Sequence, residues 1–125
     1  MANKLVQLKD GNDNIYPTQP DTGWIGINID TSKVVNFAWE PLSYRKIGKI
    51  VYIHGGGTAQ QLLYNQTTLA TGLPLPKQNT SLIAIENNNS ATFNFLIDYD
   101  GNFKTVGDLQ QSKEFIINGS YITRE

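Results

Sequence analysis

YRKIGKIVYIHGGG, residues 44–57, is where the fold is decided. Gly48 has no Cβ, so it tolerates the positive φ of a tight reversal. Tyr44 to Lys46 then run one way and Lys49 to His54 run back. On the returning strand Val51 and Ile53 share one face, and Ile50, Tyr52 and His54 share the other. Apolar groups on both faces predict a central strand with its second face covered. The glycines then either end the strand or let another backbone come close. The rival reading makes HGGG part of an esterase oxyanion hole. That needs a nucleophile on a G-x-S-x-G elbow and a fold of alternating strands and helices. The chain has no G-x-S-x-G, and its serines at 32, 43, 81, 90, 112 and 120 stand in no nucleophile motif. His54 is the only histidine and cannot serve both in the HGGG loop and as a general base. The stretch is therefore read as a hairpin and a strand.

Outward from it, the same grammar repeats. GWIGINID (23–30), the run of Val34, Val35 and Phe37, SLIAIE (81–86), ATFNFLID (91–98) and EFIINGSYIT (114–123) are short, alternating and rich in Ile, Val, Phe and Tyr. Turn residues separate them: Asp10-Gly11, Asn87 to Asn89, Asp100-Gly101 and Asn118-Gly119. Pro74 and Pro76 cannot donate to a ladder, so GLPLP is an edge or a crossing loop. TAQQLLYNQTTL (58–69) is the best helical candidate, and its threonines and asparagine allow one short turn at most. The pattern predicts an all-β antiparallel sandwich or jelly-roll-like barrel, with a head over 22–125. Residues 1–21 form an N-terminal hairpin or arm, and PTQPDTG (17–23) reads as a connector with little reason to pack.

Composition narrows the function. The 125 residues make one domain. Lys+Arg 10 against Asp+Glu 11 leave no electrostatic footprint for nucleic acid. With Cys 0 there are no disulfides or thiolate metal sites. The start, MANKLVQLKDGND, has no apolar run of a signal peptide, and no stretch is long and apolar enough to span a bilayer. Asp98 to Asn102 (DYDGN) begins like a calcium loop, but the later glutamate is misplaced, so a hairpin turn explains it better. Asp10 to Asn14 is read the same way. No metal or cofactor is expected. A glycosidase needs two carboxylates facing one cleft, whereas Asp98 and Asp100 lie in one segment. The sequons at Asn65, Asn79, Asn88 and Asn118 are read as unmodified.

Trp 2, Tyr 6 and Phe 5 remain as possible platforms for sugar rings, whose apolar C–H faces pack on indole. Most aromatics of a small β-domain are expected in its core.

WEPLSYRKIGKIVYIHG (39–55), TGLPLP (71–76), FLIDYDGNFK (95–104), FIINGSYIT (115–123) and the opening KLVQLKDGNDNIYP together resemble the receptor-binding head domains of baseplate or tail-fibre proteins from phages of Gram-positive bacteria. The resemblance implies a compact β-barrel or jelly roll, usually a homotrimer, that binds host cell-wall saccharides without catalysis. It implies a virion location at the tail tip or baseplate, other tail proteins as partners, and no membrane insertion. Residue type and nearness to strand ends nominate Trp39, His54, Asp98 and Asp100 for the saccharide. Two alternatives stay open: a structural trimerisation or docking module, and a small hydrolase of wall polymers.

Overall fold

The computed structural model describes residues 7–9, 15–17, 20–87 and 91–124. They contain no helix. Eleven strands run in chain order: β1 (Gln7–Lys9), β2 (Ile15–Pro17), β3 (Ile25–Gly26), β4 (Val34–Asn36), β5 (Ser43–Ile47), β6 (Ile50–Ala59), β7 (Thr68–Ala70), β8 (Thr80–Glu86), β9 (Thr92–Ile97), β10 (Phe103–Val106) and β11 (Glu114–Ile122). β1 and β2 pair as a hairpin. Leu5 and the Asp10–Asn14 turn lie outside the described residues.

The other nine strands form one antiparallel sheet in the order β3-β5-β6-β11-β8-β9-β10-β7, with β4 paired to the far end of β6. The sheet curls into a half-barrel. Its two ends are tied by the segment after β3: the Ile27 amide donates to the Leu42 carbonyl at 3.0 Å, and the Asp30 amide to the Leu69 carbonyl of β7 at 2.9 Å. The expected all-β antiparallel fold is the one observed.

Strand alternation builds the core. Val51 and Ile53 of β6, Phe115 and Ile117 of β11, Leu82 and Ala84 of β8, and Phe95 and Ile97 of β9 all point inward and are buried. Phe95 is its hub, with ring centroids 5.0 Å from Phe103 and 4.8 Å from Phe115. Such offset aromatic pairs add about 0.5–1.5 kcal/mol each beyond the area they remove from water. Two buried hydroxyls are satisfied within the chain. Thr105 donates to the Tyr64 carbonyl at 2.9 Å, and Tyr121 donates to the Pro74 carbonyl at 2.8 Å.

Several expectations need correction. Asn118-Gly119 is not a turn; both sit inside β11, paired with His54 and Ile53. Gly119 suits that place because a Cβ there would stand 2.9 Å from Leu82 Cδ2. The 58–69 stretch forms no helical turn: Thr58 and Ala59 complete β6, and Leu63 bridges Leu109 instead. The connector does pack. Gly48 N–H reaches the Pro20 carbonyl, Thr22 N–H reaches the Lys46 carbonyl, and Thr22 is buried. GLPLP is a crossing loop that returns at Pro76 to bridge Thr123.

Candidate functional site

The hairpin of residues 44–57 forms as read. Ile47 pairs with Ile50, and Gly48, first of the two turn residues, has φ 59°, as a tight hairpin with glycine in that place requires. The glycines do not end the strand; β6 continues through all three to Ala59. They let other chain segments crowd it. Gly55, at φ 125°, lies so close to the Pro41 carbonyl that no Cβ fits between them. Gly57 lies equally tight under Val35, where a Cβ would stand 2.6 Å from the carbonyl oxygen. The Gly56 amide, which an oxyanion hole would need free, donates to the Glu40 carbonyl at 2.9 Å.

What the glycines admit is the turn Phe37–Glu40, closed by a 3.2 Å bond from the Glu40 amide to the Phe37 carbonyl. Phe37 buries its ring beside Gly56. Trp39 then stacks flat on Phe37, centroids 4.8 Å apart and planes within 7°, leaving its outer face to solvent. Glu40 Oε1 lies 2.7 Å from His54 Nε2. Trp24 also stands beside His54, ring centroids 6.2 Å apart. Ser43 and Asn118 flank His54 across the sheet. Both tryptophans are more than half exposed, Trp24 at 52% and Trp39 at 67%. The expectation of core aromatics fails for both. The reason is local: Trp39 occupies a turn whose inward position Phe37 already fills, and Trp24 precedes an edge strand of two residues.

The result is an exposed indole, Trp24, beside an imidazole that is hydrogen-bonded to a carboxylate, with a second exposed indole, Trp39, on the residue before that carboxylate. It offers apolar plates beside donors and acceptors, the arrangement that a ring bearing hydroxyls can use. Trp24 and Glu40 were not singled out by the sequence. The signal for Glu40 was its place beside Trp39, and the signal for Trp24 was the short, glycine-flanked run that follows it.

Asp98 and Asp100 are not part of this surface. They occupy the β9–β10 turn, three strands from β6. There Asp98 ties the turn: Oδ1 accepts from the amides of Asp100 at 2.9 Å and Asn102 at 3.0 Å, and Oδ2 accepts from Asn102 Nδ2 at 3.1 Å and pairs with Lys104 at 3.0 Å. Partial burial pushes its carboxyl up, but the Asn102 amide, Lys104, the Asn102 side chain and the Asp100 amide outweigh that and hold it at about 2. All its lone-pair directions are engaged within the turn, so the hairpin explanation of DYDGN stands. Among the described residues no cluster of three His, Cys, Asp or Glu side chains is placed to hold a metal ion.

No family model matches the chain, and a search of curated proteins finds no match either.

Proposed function

We propose that the chain is a non-catalytic adhesion module that binds cell-surface saccharide through the surface of Trp24, Trp39, Glu40 and His54. One observation carries the reading: exposed Trp24 stands beside His54, and His54 is hydrogen-bonded to Glu40, the neighbour in the chain of exposed Trp39. Leaving indole in water forgoes a large burial gain, and an aromatic so placed is a candidate ligand platform. The setting at a phage tail tip or baseplate rests on the sequence resemblance. Such a shallow surface binds each sugar weakly, and copies linked in an oligomer turn later contacts into intramolecular ones, with gains of roughly 10² to 10⁴.

The test is binding of the full chain to purified Gram-positive cell-wall polysaccharide and to a glycan array. Binding is expected, with at least a tenfold loss in Trp39→Ala. Background binding by the wild type, or binding by Trp39→Ala and Trp24→Ala undiminished from the wild type, sinks the proposal.

A further inference from the structure

The ladder on the β8 side of β11 has a step in it. Pro76 bridges Thr123, and the Lys77 amide donates to the Ile122 carbonyl at 2.8 Å. Pairing resumes at Ala84 with Ile117 and runs to Glu86 with Phe115. Between these points residues 78–83 face only residues 118–121. Extra residues on one side of an antiparallel pair bend that side away from its partner. Both walls of the resulting bow are held from behind: β9 pairs with Thr80 through Ile85 without a break, and β6 pairs with β11 from Glu114 to Ile122. The inward side is shut by Leu82, which packs into the space that Gly119 leaves by having no side chain.

The outward side is open. It forms a groove of about 580 Å³, where Ile50 and Ile122 line the opening beside the polar residues Lys77, Gln78, Thr80 and Ser120. That volume lies in the range of small-ligand sites. Register joins the groove to the surface of Trp24 and His54. His54, Tyr52 and Ile50 follow one another on the outer face of β6, and their partners on β11 are Asn118, Ser120 and Ile122. The apolar alternation of 50–54 predicts a covered outer face, yet Ile50 and Tyr52 are 39% and 40% exposed. Four residues of strand put roughly 13 Å between His54 and Ile50, more than one sugar ring spans. What lies between is a tyrosine ring, an amide and a hydroxyl: Tyr52, Asn118 and Ser120.

We infer that the groove is a second sugar subsite, and that the ligand is a linear chain of several sugars lying along β6 and β11 from Trp24 to Lys77. The inference rests on the saccharide reading above and adds the length and course of the ligand. A sugar ring has an apolar C–H face and an edge of hydroxyls. Ile50 and Ile122 meet the first; the hydroxyls of Thr80 and Ser120, the Gln78 amide and the Lys77 ammonium meet the second. Among the described residues no carboxylate pairs with Lys77, so its donors are open to a ligand. An added peptide strand fits worse. Main-chain pairing needs an open sheet edge, and this opening is closed at both ends, by the Lys77–Ile122 bond and the Ala84–Ile117 pair.

The test is titration calorimetry of the full chain against purified Gram-positive wall polysaccharide, partly hydrolysed and separated by size. The variants are Ser120→Phe, which fills the groove from an exposed position, and Lys77→Ala, which removes a donor; circular dichroism checks the fold of each. The wild type is expected to bind fragments of about four or more sugars at least about tenfold more tightly than single sugars or disaccharides, because a second linked contact is intramolecular. The variants are expected to lose that gain and to hold the short fragments as the wild type does. A wild type indifferent to length overturns the inference, and so does a length preference that both folded variants keep. In either case, short-fragment binding that Trp24→Ala weakens leaves the saccharide reading standing. Background binding to every fragment sinks both.

Discussion

The amide of Gly56 donates to the carbonyl of Glu40 at 2.9 Å, and this bond seats the turn that carries Trp39 onto the central strand. It forms only because position 56 has no side chain; a Cβ would collide with the Phe115 carbonyl and stand 3.0 Å from the Phe37 ring. Gly56→Ala is therefore expected to cost at least about 3 kcal/mol, since neighbouring backbone must move. Urea denaturation checks this. Gly72→Ala makes a useful contrast: nothing lies within 4 Å of its added Cβ, so its cost comes from φ 77° alone and should be smaller.

Glu40→Gln separates the charge of the Glu40–His54 pair from its shape. The amide keeps a hydrogen-bond acceptor 2.7 Å from the imidazole but removes the carboxylate. If the pair orients His54 for a hydroxyl-bearing ligand, Glu40→Ala should weaken saccharide binding more than Glu40→Gln. Thermal stability should change little in either, because both side chains are partly in water. Titration calorimetry against wall polysaccharide gives the comparison.

Asp98 predicts an acid limb in stability. Its carboxyl is held at about 2 in the folded chain, against about 3.9 when unfolded. A depressed folded value means the contribution is fully present above the unfolded value and is lost as pH falls from about 4 toward about 2. Asp98→Ala removes the acceptor for two turn amides and should cost about 2 kcal/mol near neutral pH. It should also flatten the pH dependence between those limits, which urea midpoints at successive pH values would show.

Asp21 works in the same window by a different contact. Arg45 donates from Nε at 2.9 Å and Nη2 at 2.5 Å, the Gly23 amide adds a third bond, and the carboxyl sits at about 2. The pair is substantially solvent-exposed, so its global effect is small. Locally it pins residues 20–23 to the hairpin. Asp21→Asn should speed hydrogen exchange at the amides of Thr22 and Gly48 while leaving the core amide of Ile53 unchanged.

The strands were legible because SLIAIE and ATFNFLID alternate cleanly and their inward residues are the ones buried. Gly48 was legible because a two-residue reversal leaves few choices. Asn118-Gly119 misled because an Asn-Gly pair signals a hairpin, yet here Gly119 makes room for Leu82 against a neighbouring strand. Packing between strands far apart in sequence is invisible to local turn chemistry. The same limit hid the candidate surface. His54 and Trp39 stand out by type, but joining them through Glu40 requires the 37–40 turn to fold back on β6, and Trp24 reaches His54 only across the sheet. Asp98 and Asp100 stood out for the opposite reason: carboxylates that tie a turn look, in one dimension, like carboxylates awaiting a ligand.

The nine-residue ladder of β11 with β6 joins segments some sixty positions apart, and β11 also carries the edge of β8. During synthesis β6 and β8 thus leave the ribosome with no neighbour on their inner flank, and Val51, Ile53 and Phe95 stay wet until β11 follows. A nascent chain stalled before Glu114 should accordingly be protease-sensitive and chaperone-bound, and the chain should acquire its resistance in one late step.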